Sequence, residues 1–482
     1  MYITIERLNR SPALAARILA LACALTCAPL MGGARASAAA GAAPRPVAAV
    51  IAEYVQAGLA ANLSLANQKL DLEKSTAALD AARARFYPEV ALAARYTRAD
   101  GGRQFDIPVG QLLNPVYQTL NDLLIASGGG TRFAPIGDES IPLQLPREQD
   151  TRITLRQPLY APAVLASFHA AQAAAAAADA AHQAFARQLR RDITLAYLDW
   201  LRARNAAQIV AASATLLAEN RRVSAALYAQ GKGTHDTVLR AEAEWLAIEQ
   251  QQHEAENGAV QARSYVNFLL NRPLDGALEA AELGDADTPP ATPALELATQ
   301  DALAARPELR QLDHARDAAA AQLRVAQAAR RPTLALGVDA GTQGSDYGIG
   351  RNYNFVTASL VVNWTLFDAG ARSAAVSQAR LATAQLANEQ RQSVARVALE
   401  VRRAHDELVT AIESLATARA RTAAARAAFA IAAERRAAGL SSPLEFLDAR
   451  STLTSAELNE NLTRCAGLQR QAEFDFARGA IS

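Results

Sequence analysis

"LVVNWTLFDAG", residues 360–370, holds two secondary-structure signals with no hairpin turn between them. Leu360, Val362 and Trp364 alternate with polar or smaller neighbours, the period of a strand with one apolar face. Phe367, Asp368 and Gly370 then lead straight into an Ala/Gln/Arg-rich run whose composition favours helix. A counterpart, "LRQPLYAPA" at 155–163, runs into another such stretch. The chain therefore feeds a strand directly into a very long helix, and does so twice.

Composition agrees with an elongated helical protein. Of 482 residues 51% are hydrophobic, but only 5% are aromatic, and much of the apolar content is alanine, as in "AAQAAAAAADAA" at 170–181. Alanine forms helices well and fills cores poorly. A formal net charge of +1 leaves no basic footprint for nucleic acid. Residues 1–38 read as an export signal: Arg7, Arg10 and Arg17 precede an apolar run from Ile18 to Leu30, and "ARASA" at 34–38 offers cleavage sites. Cys23 and Cys27 lie inside that run. Thr26 before Cys27, and the very short apolar stretch before Cys23, suit lipid attachment poorly. Cleavage would leave Cys465 as the one cysteine, so no internal disulfide is expected. Beyond the signal no apolar stretch reaches the length of a transmembrane helix.

The sequence is written twice. "AQGKGTHDTVLRAEAEW" (229–245) lies over "AAGLSSPLEFLDARSTL" (437–453) at an offset of 208, with Gly231 on Gly439 and Thr234 on Ser442. Leu155–Tyr160 match Val362–Phe367 at 207, and "ARFYPEVALAARY" (84–96) meets "ARRPTLALGVDA" (329–340) at 244. The excess sits in a Gly/Pro-rich insert at 98–150. The first repeat then spans 39–271: a helix, strands near 89–97 and 151–158, a long helix 163–230 and a helix 236–271. A linker at 272–300 precedes the second repeat, 301–482, with a helix, strands near 333–341 and 355–365, a long helix 370–437 and a helix 443–479.

Each strand has one apolar face: Val90, Leu92, Ala94 and Tyr96; Ile153 and Leu155; Leu334, Leu336, Val338 and Ala340; Val356, Ala358, Leu360, Val362 and Trp364. The other faces carry Arg95, Arg152, Thr154, Arg156, Asp339, Thr357, Ser359 and Asn363. About ten residues, apolar outward and polar inward, is the pattern of a transmembrane barrel strand. Phe86, Tyr87, Tyr160, Trp364 and Phe367 stand at three of the four strand–helix junctions, as an interfacial girdle requires. Pro88, Pro158 and Pro332 mark the changes between helix and strand. Val394, Val401, Leu408 and Leu415 recur every seven residues, with Val397, Ala404, Ala411 and Ala418 between them. Ala186, Ile193, Trp200 and Ala207 match them in the first half. Sustained heptads mean side-by-side packing of long helices, each roughly 100 Å long. Gly231 and Gly439 end those helices, and Thr234 and Ser442 start the next. Four strands cannot close a barrel, because closed barrels begin at about eight. A dimer or a trimer would supply eight or twelve.

These residues resemble the TolC-type outer-membrane efflux proteins over about 50–480. The likeness is carried by the duplicated plan, "FYPEV" (86–90), "NWTLFDAGARSAAVSQA" (363–379), "ARPEL" (305–309) and "AGLSSPLEFLDA" (438–449). The resemblance implies a mainly α protein with a transmembrane β-barrel: a homotrimer with a twelve-stranded barrel and a periplasmic α-helical barrel. It implies an exit duct in the outer membrane of a Gram-negative bacterium, bedded in outer-membrane lipid and working with a periplasmic adaptor protein and an inner-membrane pump. Glu445 and Asp448 take the places of acids that ring the family's periplasmic entrance, where three copies would favour cations. The same pair also suits an ordinary helix start. Thr237 and Arg240 stand there in the first repeat, and Arg240 is a candidate partner for an acid that holds the entrance shut. Gly231, Thr234, Gly439, Leu440 and Ser442 match the family's adaptor-docking tips. The insert departs from the family pattern and falls on the outer side, where it would plug the mouth or merely decorate it.

Nothing points to catalysis, a cofactor or a metal. The histidines, His169, His182, His235, His253, His314 and His405, form no HExxH and no Cys/His cluster, and no Walker loop or GxSxG occurs. Small-molecule efflux and type I protein secretion use similar ducts. A periplasmic coiled-coil scaffold or adaptor is the alternative from another class. Repeated apolar-out strands between aromatic junctions argue against it.

Overall fold

A computed structural model describes residues 45–284, 292–348 and 350–480. The export signal expected over 1–38, with Cys23 and Cys27, lies outside the described residues. The chain is mainly helical. It opens with α1 (Val47–Ala61) and α2 (Leu63–Ala84), which break at Asn62. The Asn62 side chain caps α2 by accepting from Leu65 N at 3.0 Å and donates to Leu269 O at 2.9 Å. Next come β1 (Glu89–Arg98), β2 (Gln104–Ile107), α3 (Val109–Ala126), β3 (Glu139–Pro142) and β4 (Arg147–Tyr160). The 68-residue α4 (Pro162–Ala229) and α5 (His235–Leu269) follow. The second half holds α6 (Leu295–Ala305), α7 (Pro307–Ala328), β5 (Thr333–Gly344), β6 (Asn354–Asn363), α8 (Ala371–Ala437) and α9 (Pro443–Ala477).

Several boundaries differ from the sequence expectation. The insert is not loop throughout: it carries α3 and the small β2–β3 sheet. β4 starts at Arg147 and keeps Tyr160 as its last residue, because it pairs on both sides along most of its length. Pro158 therefore lies inside a strand, next to a register irregularity, where its missing N–H is tolerated. α6 begins at Leu295, inside the stretch expected as linker, and stops before Pro307, which cannot continue the incoming helix.

The four long strands form one antiparallel sheet in the order β1-β4-β5-β6. Its register sorts the side chains. Val90, Leu155, Val338 and Ala358 share one cross-strand row, and Leu92, Ile153, Ala340 and Val356 share the next on the same face. The opposite face carries Ala91, Thr154, Asp339 and Thr357 in one row and Ala93, Arg152, Gly341 and Phe355 in another. One face is thus apolar across all four strands and the other mixed and polar. β1 and β6 each leave one edge unpaired within the chain.

The stretch at 360–370 turns from sheet to helix in seven residues. Ala369 and Gly370 take φ of 53° and 92°, which swings the chain without a hairpin. Asp368 governs the turn: its carboxylate accepts from Gly370 N at 3.3 Å, from Arg372 N at 2.9 Å and from Arg372 Nε at 2.7 Å. Trp364 Nε1 donates to Arg330 O at 3.1 Å, fastening β6 to the chain entering β5. The hydrogen bonds from Arg372 hold the Asp368 carboxyl below its ordinary range.

Helix packing is organised by α4 and α8. α4 runs along α5, α7, α2 and α9, and α8 along α9, α7 and α6. Ile193, Tyr197, Leu198 and Leu201 of α4 meet Val50 and Tyr54 of α1, Val266 of α5 and Leu270 just past its end. A second core joins Val397, Val401 and Leu408 of α8 to Ala298 and Ala302 of α6 and Phe474 of α9. The expected heptad is buried at Val401, Leu408 and Leu415, but Val394 is 39% exposed. The α9 C-terminus is clamped from outside its own helix: Arg187 Nη2 donates to Phe476 O at 2.7 Å and Arg306 Nε to Ala477 O at 2.8 Å.

Tyr197 is fully buried; its hydroxyl donates to Glu279 O at 3.0 Å and accepts from Ala281 N at 3.1 Å. Tyr197→Phe leaves both backbone groups unpaired in the core, so it should cost about 1–3 kcal/mol of stability, read by denaturant unfolding. The junction supplies a pH test. Because the folded Asp368 carboxyl titrates below the unfolded one, its contribution is present at neutral pH and lost as acid protonates it, below about pH 4. Asp368→Ala should lower the melting temperature at pH 7, and the gap from the parent should narrow at pH 3.

Candidate functional site

The molecule offers two functional ends, the helical tips and the sheet. At the tips both long helices stop in the same way. Gly231 takes φ 72°, its N–H donates to Tyr228 O at 2.9 Å, and Lys232 N donates to Leu227 O at 2.9 Å. Gly439 takes φ 73°, donating to Arg436 O at 3.0 Å, and Leu440 N donates to Arg435 O at 2.8 Å. This double closure needs the left-handed residue that glycine supplies.

The helices that follow start differently. Ser442 Oγ accepts from Glu445 N at 3.2 Å and caps α9. Thr234 makes no cap bond; its hydroxyl instead meets that of Thr237 at 2.9 Å. Leu440 stands 70% exposed at the turn. Glu445 and Asp448 are exposed in the first turns of α9, three residues apart, and neither makes an ion pair among the described residues. Between them Leu447 is buried against Val210, Leu217 and Ile248, so the carboxylates point away from the core of their own chain. Among the described residues Arg240 pairs with Asp236, one turn back on α5, at 3.0 Å and not with a distant acid.

Two arginines that the sequence reading passed over tie the tips together. Arg450 of α9 is buried, donates through Nε to Ser213 Oγ of α4 at 3.2 Å, and lies over the Phe429 ring of α8 at 5.4 Å. Arg436 of α8 donates to Asn220 Oδ1 of α4 at 3.2 Å and lies over the Phe446 ring of α9 at 5.3 Å. Burial lowers the pKa of both guanidiniums. Arg450 was findable: it falls three residues after Leu447 and three before Leu453, on the apolar side of its helix. A cavity of about 230 Å³ opens between the two hairpins, bordered by Asn220, Asp236, Arg240 and Ser442.

At the other end, Phe86, Tyr87, Tyr160, Trp364 and Phe367 are all exposed, and all sit where strands meet helices. Leu92 at 71%, Val356 at 76% and Leu360 at 64% exposure show that the other described residues leave the apolar sheet face uncovered. A continuous uncovered apolar face of this kind marks an interaction surface. The opposite face is ionic. Arg152 binds Asp150, Arg95 approaches Asp150 at 3.9 Å and Glu148 at 3.8 Å, and Thr154 Oγ1 donates to Asp339 at 2.6 Å across the strands.

Among the described residues no group of three His, Cys, Asp or Glu side chains could hold a metal ion. Nor is any single helix among them long and apolar enough to cross a membrane. The free Cys465 is buried, and burial pushes its thiol up to about 11.

The difference between the two caps is measurable. Ser442→Ala removes a used cap and should loosen the start of α9 by about 1 kcal/mol. Thr234→Ala removes none and should leave α5 unchanged. Hydrogen exchange of peptides covering 442–447 and 234–239 reads the contrast.

Residues 298–480 match the model of the family described as outer membrane efflux protein. No curated protein matches the chain in sequence. Among solved structures, the CmeC outer membrane channel of Campylobacter jejuni superposes with a TM-score of 0.74 at 15% identity, covering 89% of this chain and 85% of its own. VceC, an outer membrane protein of Vibrio cholerae, gives 0.72 at 16% identity, over 89% and 96% of the two chains. The MtrE outer membrane channel of Neisseria gonorrhoeae gives 0.71 at 20% identity, over 89% of each. The chain thus carries the signature of the outer membrane efflux protein family over residues 298–480, and over nearly nine-tenths of its length the fold of the TolC-like outer-membrane channels.

Proposed function

We propose that the chain is the exit duct of a tripartite efflux system, a homotrimer in the outer membrane of a Gram-negative bacterium that passes small molecules outward without chemistry of its own. The observation that carries this reading is the sheet: one face apolar across four strands, the other ionic, and both edges unpaired. In lipid an open edge leaves backbone N–H and C=O groups without partners, so the edges must close on further copies. Three copies make twelve strands, with the apolar face to lipid and the Arg95, Arg152 and Asp339 face to a watery lumen. Phe86, Tyr87, Tyr160, Trp364 and Phe367 form the aromatic level at the inner membrane surface.

The two halves of the chain descend from one duplicated unit, and each contributes a strand pair and a long helix to the wall. Below the membrane the α4 and α8 helices continue it as a tube of roughly 100 Å, the length of a 68-residue helix at 1.5 Å per residue. The tips at Gly231, Thr234, Gly439, Leu440 and Ser442 take the hairpins of a periplasmic adaptor, which couples the duct to an inner-membrane pump. Glu445 and Asp448, exposed and unpaired within one chain, form an acidic ring at the periplasmic entrance and favour cations there.

Planar-bilayer recording of the detergent-extracted protein tests this. The expected result is a cation-selective conductance whose selectivity falls in Glu445→Ala/Asp448→Ala. A pore indifferent to the double substitution removes the acidic ring and keeps the duct. Folded, membrane-extracted protein without any pore, even with its adaptor present, removes the duct.

A further inference from the structure

The insert between β1 and β4 is a built element. Its β2–β3 ladder prolongs the β1–β4 pair outward, with Ala99 N donating to Pro146 O at 3.1 Å and Leu143 N to Arg103 O at 2.9 Å. At its end α3 is pinned along one side to the returning chain. Asn114 donates to Ile136 O at 2.9 Å and accepts from Ile136 N at 2.8 Å. Asn121, two turns on, donates to Phe133 O at 2.7 Å and accepts from Phe133 N at 3.1 Å. Asp138 caps the helix start by accepting from Gly110 N at 3.0 Å, and the Tyr117 and Phe133 rings meet at 5.3 Å. A Cβ on Gly110 would lie 2.4 Å from Ile136 O, so the close approach needs glycine.

Another side of α3 is left largely open by the other described residues. Leu113, Val116, Leu120 and Leu123 are all exposed, Val116 at 52% and Leu123 at 63%, and they recur at spacings of three, four and three. That is the seam of a helix packed lengthwise against another helix. The occupant follows from charge and from position. A helix lying on a lipid surface carries Lys and Arg on its polar side; α3 has neither, and its one charge is Asp122. The insert rises from β1 and β4 together, so the symmetry of the proposed duct sets one α3 from each copy around the same end of the barrel.

We propose that α3 packs through Leu113, Val116, Leu120 and Leu123 against the same helix of the other two copies, forming a three-helix cap over the outer mouth. This rests on the trimeric duct proposed above. The cap makes the outer end a second restriction, separate from the entrance at Glu445 and Asp448. Opening it exposes the apolar seam, while the Asn114 and Asn121 bonds keep each helix folded on its own insert.

Single cysteines test the cap in the full-length, detergent-extracted protein, where buried Cys465 gives a low background set by the parent chain. Val116→Cys lies on the seam and Gln118→Cys on the opposite exposed side. With a short bismaleimide the expected result is a covalent dimer band for Val116→Cys and none for Gln118→Cys, with a loss of conductance in the linked protein only. Native mass spectrometry of the same samples reports the trimer itself. If three chains assemble but the two cysteine variants link equally, or neither does, the cap is overturned and the duct stands. The α3 seam then faces lipid or a foreign partner. If no trimer forms, the cap falls together with the duct.

Discussion

The structure depends on the two unpaired edges of a four-stranded sheet. In the duct proposed above, lipid covers the apolar face of this sheet and water the ionic one. In that setting each free edge would present a row of backbone donors and acceptors that lipid cannot satisfy. The register decides which residues meet which medium, because a slip of one position would exchange Leu92 and Ile153 for Ala93 and Arg152. Pairing on both sides of β4 and β5 holds that register in the middle of the sheet. The edge strands β1 and β6 are held on one side only.

What lies below the sheet follows from how each strand is joined to its helix. At Asp368 the junction is held by a carboxylate that bonds the Arg372 amide of α8 and the Arg372 side chain, and Trp364 fastens the same turn to Arg330, three residues before β5. The direction of a very long helix is thus set within a few residues of the strand. Small errors there would grow along a helix of 67 residues. The cores correct them further down, where Tyr197 and Phe474 are fully buried, and the clamp of Arg187 and Arg306 on the end of α9 joins the two halves.

Much of this was legible in the sequence because it rests on periodicity. Alternation at 356–364 and alanine-rich helix after 370 are local signals, and so are the glycines at 231 and 439. α3 was not legible: Pro115, Asn114 and Asn121 give it the composition of a loop, and only the returning chain at 131–138 shows that the asparagines are its anchors. The length of β4 was missed because Glu148, Gln149 and Asp150 read as a polar boundary. Gln149 and Asp150 are buried, with Asp150 bound by Arg152. Spacing alone puts Val394 in the core, yet the buried cluster of α8 with α6 and α9 takes in Val397 instead. Arg436 and Arg450 were passed over because a charged side chain on a helix is usually solvated. Here aromatic rings and polar groups of neighbouring helices bury Arg450 and partly cover Arg436. Thr234 and Ser442 align in the repeat, but only Ser442 caps.

The central claim is that the sheet edges close on two further copies. Native mass spectrometry of the protein released from outer-membrane lipid in mild detergent tests it most directly. The account predicts a species of three chains, with no folded monomer surviving once the assembly is dissociated gently. A stable, folded monomer that keeps its strands would show that the edges need no partner, and would contradict it.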